Sequence, residues 1–153
     1  SPHMQSIVDA VSRHADTVLD RAQDRWSGAT SLLIDGFELS SGEPVRWQEC
    51  ILSNLACQQN MLRTLEGLAA VTGADRWRQA ADNWIAHAME KLRDPDSDLL
   101  YWGGHSCWDV GTDTPMKGNH ELKCVYPNYD GLFRIAPALE RHFSTSCAGI
   151  CRR

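Results

Sequence analysis

Two apolar stripes of helical period, separated by almost nothing, set the strongest limit on what this chain can fold into. In the first, Leu62, Leu65, Leu68 and Ala69 recur at three- and four-residue spacing until Gly73. In the second, Trp77, Ala81, Trp84, Ala88 and Leu92 do the same from Asp75 onward. That spacing puts side chains on one face of an α-helix. Gly73 supplies the left-handed stop that ends a helix, and Asp75 is placed to cap the next one. Helices joined by so few residues fold back antiparallel, so a helical hairpin is the expected nucleus.

The same periodicity extends the reading in both directions. Ile7, Val11, Ala15, Val18, Leu19, Ala22 and Trp26 predict a helix over 6–26 capped by Ser6. The helix ending at Gly73 is read as starting near Trp47, taking in Ile51, Leu55 and Met61, with Cys50 and Cys57 on one face as core thiols. Residues 32–37 read as a short extended piece and 40–44 as a turn. The helix from Asp75 ends before Asp94-Pro95, because the residue preceding a proline disfavours the helical region. A short helix is expected over 129–135, and Pro137 starts another turn through 139–143. The predicted fold class is all-α, built of antiparallel helical hairpins with one long aromatic-rich loop. The expectation is a single helical domain over 5–153, with residues 1–4 set aside as a tag remnant and start methionine, and 143–153 as a tail without periodicity.

A chain of 153 residues can bury a real core, roughly 70% of its unfolded surface. The net charge of −5 is spread over interspersed acids and bases, without a basic run to neutralise successive phosphates, which argues against nucleic acid as a partner. No segment approaches the ~20 apolar residues of a membrane span, so a soluble protein is expected. The six cysteines form no CxxC pair, which argues against a structural zinc ribbon. Cys107 and Cys124 flank the aromatic loop and could form a disulfide in an oxidising compartment, which the sequence leaves open. The sequence leaves that compartment open; a removed signal peptide would make the protein secreted or periplasmic.

Chemistry-bearing residue types concentrate over 101–130. The run Tyr101-Trp102-Gly103-Gly104-His105-Ser106-Cys107-Trp108-Asp109 is followed by Gly118-Asn119-His120-Glu121-Leu122-Lys123-Cys124-Val125-Tyr126-Pro127-Asn128-Tyr129-Asp130. Acids, bases, a cation and flat aromatic faces are the groups that a site acting on a sugar acid needs. A base removes a carbon-bound proton, a cation neutralises the adjacent carboxylate so that this proton becomes acidic, and aromatic rings hold the pyranose. His105, His120, Tyr126 and Tyr129 are candidate bases or acids, and Lys123 and Arg46 candidate carboxylate partners. Each has a structural alternative. Trp102 and Trp108 also suit core or loop packing, Gly103-Gly104 a turn, and each histidine a satisfied imidazole. Glu49, Asp109 and Asp113 read as solvated or capping groups. Two histidines with a glutamate and an aspartate can bind a divalent metal, but they lack the i, i+4 spacing that puts ligands on one helix face, so no metal is assigned and the cofactor is left unknown.

The stretch 62–81, a helix, a Thr72-Gly73-Ala74-Asp75 turn and a second helix, followed by Asp98-Leu99-Leu100-Tyr101-Trp102-Gly103-Gly104-His105, resembles a hairpin of the six-hairpin, (α/α) toroid carbohydrate-active enzymes. The runs His120-Glu121-Leu122-Lys123 and Tyr126-Pro127-Asn128-Tyr129-Asp130, with Gly42-Glu43-Pro44-Val45-Arg46-Trp47, resemble pectate-lyase-like bacterial proteins of that superfamily. The resemblance spans about 9–137. It implies a partial toroid, a polysaccharide (pectate or uronate) lyase-like activity and an acidic polysaccharide or oligosaccharide as partner. The residues it favours for catalysis are His105, His120, Lys123, Tyr126 and Tyr129, with Arg46, Trp102, Trp108, Glu121 and Asp130 for substrate binding. Toroids of this kind use many more helices than the three long and one or two short ones supported here, so a truncated N-terminal portion of a larger enzyme is expected. A non-catalytic sugar- or protein-binding module is the alternative. A partial toroid leaves apolar flanks uncovered, and the stripe of the first helix, Val11, Val18, Leu19 and Ala22, predicts a homodimer.

Overall fold

A computed structural model describes residues 1–96, 100, 101, 107–116, 129–135 and 137 of the chain. Its helices are α1 (Pro2–Ala22), α2 (Gln59–Thr72), α3 (Asp75–Lys91) and α4 (Tyr129–Ile135). They are joined by a small sheet of β1 (Leu52–Ser53), β2 (Cys107–Asp109) and β3 (Thr114–Met116). Helices dominate, as the periodicity requires; the sheet is an addition to the all-α expectation.

The hairpin forms as its turn chemistry dictates. Gly73 takes φ 70°, and its N–H reaches the Ala69 carbonyl at 2.9 Å, which closes α2. Ala74, and not Asp75, is the residue before α3; Asp75 is the first helical residue, where its charge faces the positive end of the helix dipole. Trp77, Ala81, Trp84, Ala88 and Leu92 are all buried, as are Leu62, Leu65 and Leu68 across from them. Leu132 of α4 completes this layer, and Arg134 ties α4 to the hairpin by pairing with Glu66 of α2 and Asp82 of α3.

α1 starts earlier and stops earlier than its apolar pattern predicts. Pro2 occupies the first turn, where a missing N–H costs nothing, and the Ser1 hydroxyl accepts from Met4 N at 3.4 Å. Residues 2–4, set aside in the sequence reading, are helical, and Ser1 takes the capping role assigned to Ser6. The helix ends at Ala22, short of Trp26, because the buried Asp24 carboxylate takes the main-chain amides of Trp26 and Thr30 and the Thr30 hydroxyl. Ala15 and Ala22 are buried; Val11, Val18 and Leu19 pack half-buried against the core, whereas Met4 and Ile7 stay exposed.

The largest correction concerns residues 47–58, read as helix from Ile51 and Leu55. Both are buried, but Leu52 and Ser53 form β1 and Leu55–Cys57 a single 3-10 turn. Cys50 is half-buried outside any helix and Cys57 is exposed, so they are not a pair of core thiols on one helix face. Leu52 pairs with Asp109 and Ser53 with Trp108, while Cys107, Trp108 and Asp109 pair with Met116, Pro115 and Thr114, all antiparallel. Among the described residues no helix is long and apolar enough to cross a membrane.

Candidate functional site

The sheet gathers the chemistry-bearing stretch at one place along the chain. Cys107 opens β2 and faces Met116, which closes β3, with the two sulfurs 3.8 Å apart. In the sequence His105 lies two residues before Cys107 and His120 four after Met116.

The opposite end of the β2–β3 pair is a polar knot. Asp109 is buried and accepts the Ile51 amide at 3.0 Å, the Gly111 amide at 2.9 Å and the Thr112 hydroxyl at 2.8 Å. Burial alone would raise its pKa; these donors outweigh that and hold the carboxyl below its ordinary value. Asp113, at φ 54°, accepts the Trp108 indole N–H at 3.1 Å and pairs with Lys91 of α3 at 3.2 Å. The Lys91 ammonium sits 5.8 Å from the Trp108 ring, and the Tyr101 ring is tilted against that ring with centroids 6.3 Å apart. Asp109 and Asp113, read as solvated or capping groups, are thus the fasteners of this turn.

A carboxyl that the sequence reading passed over lies at the other end. Asp35 Oδ1 accepts from Asn54 N at 2.9 Å and from Gln58 Nε2 at 2.6 Å. Packing around the carboxyl pushes Asp35 up to about 6 against those two hydrogen bonds, although the outer edge of the residue meets solvent. Its negative field reaches Cys107, whose thiol is driven to about 11, chiefly by burial and then by Asp35, Cys50 and Asp109. Cys107 is a free, protonated thiol rather than a nucleophile. The only sequence signal for Asp35 was the Asp-Gly pair at 35 and 36, which reads as a turn.

Of the predicted site residues, Arg46 and Trp108 are described with their side chains. Arg46 is exposed and donates to the Glu49 carbonyl at 3.0 Å. Trp108 is 6% exposed, its indole nitrogen already committed to Asp113, which matches the packing alternative weighed for it. Tyr129 and Asp130 supply the backbone of the first turn of α4. His105, His120, Lys123, Tyr126, Trp102 and Glu121, together with Cys124 and the turn expected over 139–143, lie outside the described residues. Among the described residues no group of three or more His, Cys, Asp or Glu side chains is placed to hold a metal.

A buried helical hairpin carrying a short three-stranded sheet is the framework of the described residues. The chain belongs to the periplasmic pectate lyase family, whose model matches residues 30–147. It is similar to a pectate disaccharide-lyase of Dickeya dadantii (strain 3937), with 36% identity over 124 residues, covering 74% of this chain and 23% of that relative. The chain thus spans about a quarter of the relative's length. The match contains Asp35, the whole sheet and the stretch 101–130, and leaves out all of α1.

Proposed function

We propose that this chain binds pectate or a related acidic polysaccharide and cleaves it by β-elimination. The observation that carries the reading is the family match over 30–147, which includes every predicted site residue. In that reaction a base takes the proton from the carbon next to the uronate carboxylate. The electron pair left behind becomes a carbon–carbon double bond, and the glycosidic oxygen departs and collects a proton. His105, His120, Tyr126 and Tyr129 are the proposed proton carriers and Lys123 the cation that neutralises the carboxylate. Arg46, Trp102, Glu121 and Asp130 are proposed to position the sugar, whereas the buried Trp108 packs beneath. In the same reading the α2–α3 hairpin is one unit of an (α/α) toroid.

The product is an unsaturated uronate that absorbs in the near ultraviolet. Incubation with pectate, alginate and glucuronan is expected to raise that absorbance with pectate. The rise is expected to vanish in His120→Ala and Lys123→Ala while the circular dichroism of the helices is kept. No rise and no new reducing ends with any of the three would overturn the proposal for those substrates. The second reading is a sugar-binding module that breaks no bond; saturable calorimetric binding of oligogalacturonate without an absorbance change would establish it.

A homodimer through the exposed part of α1 belongs to the same proposal. Val18 and Leu19 already pack on the core, so the free apolar surface of that helix is Met4, 59% exposed, and Ile7, 46% exposed. Light scattering during size exclusion is expected to give twice the chain mass and, for Ile7→Asp, the chain mass. A wild-type monomer at about 10 µM, well below the millimolar affinity of weak encounters, would end the dimer proposal.

A further inference from the structure

A hairpin tip just before β1 holds a conformation that its residues are unsuited to. The Trp47 amide donates to the Cys50 carbonyl at 3.0 Å and the Cys50 amide to the Trp47 carbonyl at 2.9 Å, which closes a two-residue turn over Gln48 and Glu49. Both central residues have positive φ, 47° and 66°. That is a type I′ turn, for which Asn-Gly is the favoured pair because other residues meet their own Cβ in this region. The Gln48 and Glu49 side chains are exposed and make no hydrogen bond or ion pair among the described residues, so no side-chain contact holds them there. Strain of this kind persists where side chains must be presented in a defined way.

The turn presents an aromatic ring and a cation. Trp47 is 43% exposed, and Val45, two residues before it along the chain, is 60% exposed. Among the described side chains Trp47 is the only exposed aromatic; Trp77, Trp84, Tyr101 and Trp108 are buried and Trp26, Phe37 and Phe133 half-buried. A tryptophan in that position offers a flat apolar face to the carbon–hydrogen side of a sugar ring. Beside it Arg46 donates Nη1 to the Glu49 carbonyl at 3.0 Å, which fixes the guanidinium across the turn without neutralising it. Among the described residues Arg46 has no acidic partner, so the remaining donors of its fork are left for a carboxylate.

The tip is fastened to the sheet, because Cys50 runs directly into Ile51, whose amide is held by Asp109. It also lies within the family match. Resting on the acidic-polysaccharide reading above, we infer that Trp47, Arg46 and the strained turn between Trp47 and Cys50 form a subsite that positions a uronate: a pyranose ring lies on the Trp47 indole, and a carboxylate of the same polymer takes the open edge of Arg46. Trp47 is the specificity-determining addition, since Arg46 by itself would hold any anion. The subsite positions the polymer and takes no part in breaking the bond. Glu49, the acid of the same turn, opposes the carboxylate, which fixes the sign of one of the effects below.

The test is calorimetry of oligogalacturonate and steady-state cleavage of pectate, both on the whole chain. Trp47→Ala and Arg46→Ala are each expected to weaken binding about tenfold and to raise KM in step, with kcat unchanged. Trp47→Phe keeps a flat ring and should recover most of the affinity. Arg46→Ala should also flatten the dependence of binding on salt, and Glu49→Gln should tighten binding. The double change Gln48→Asn with Glu49→Gly gives the turn the residues it favours; it should raise the unfolding temperature and keep binding, and a loss of binding there would refute the part assigned to the turn. Equal affinity for wild type, Trp47→Ala and Arg46→Ala would overturn the inference. Cleavage with an unchanged KM in Trp47→Ala sinks the subsite and leaves the lyase reading standing. Binding that depends on Trp47 without any cleavage does the reverse, and neither binding nor cleavage by the wild type ends both.

Discussion

Asp109 accepts the main-chain amide of Ile51 at 3.0 Å across fifty-eight residues of chain, and that bond joins the segment before α2 to the hairpin after α3. The same carboxylate closes the turn after β2 through Gly111 and Thr112. Asp109→Ala strands the buried Ile51 amide and the half-buried Gly111 amide, and each unpaired buried group costs roughly 1–3 kcal/mol. The expected loss is about 3 kcal/mol in urea unfolding. Its folded pKa is lowered, so its contribution is complete above the ordinary carboxylate value and fades as pH falls below about 4. The variant should therefore lose most near neutrality and little in strong acid. A loss under 1 kcal/mol at neutral pH would show that the knot is dispensable.

Asp35 runs the other way. Its folded pKa of about 6 exceeds its ordinary 3.8, so the folded state holds the proton more tightly than the unfolded one. Stability should fall as pH rises from about 4 to 6 and then level off. Asp35→Asn keeps the oxygen that Asn54 and Gln58 use and should flatten the profile in that window. Identical slopes for wild type and variant, followed by thermal unfolding, would refute the assignment.

Gly73 at φ 70° is the joint of the hairpin. A Cβ there meets nothing within 4 Å, so the cost of Gly73→Ala is one of backbone conformation and not of crowding. The expected destabilisation is about 1 kcal/mol. A neutral or stabilising result in thermal unfolding would mean that the turn had relaxed to another form.

Trp108 leans on Asp113 for its indole partner. Asp113→Ala removes that acceptor, the Lys91 ion pair and a residue type that tolerates φ 54°. About 1–2 kcal/mol should be lost, with a shift in tryptophan emission. Asp113→Asn keeps the acceptor and the backbone tolerance and should recover most of the stability, because the Lys91 pair is partly exposed and contributes little. Equal losses for the two variants would place the weight on the ion pair instead.

The sequence by itself determined the hairpin. The Leu62, Leu65, Leu68 stripe, the Trp77 to Leu92 stripe and Gly73 between them are local signals, each readable within one or two helical turns, and the core follows them. The short helix at 129–135 was legible for the same reason. Tertiary structure decided what happens between residues 47 and 58 and around 107–116. Ile51 and Leu55 sit four apart and look helical, but Ile51 N is claimed by Asp109 and Leu52 pairs with Asp109 in the ladder. Strands of two or three residues are too short to show an alternating pattern. The β1–β2 partners lie more than fifty residues apart, so no local window contains that pairing. The site divides in the same manner. Residue type alone singled out the histidines, tyrosines and lysine of 101–130, whereas the raised Asp35 carboxyl and the Asp109 knot arise from burial and from partners that only the folded chain brings within hydrogen-bonding distance.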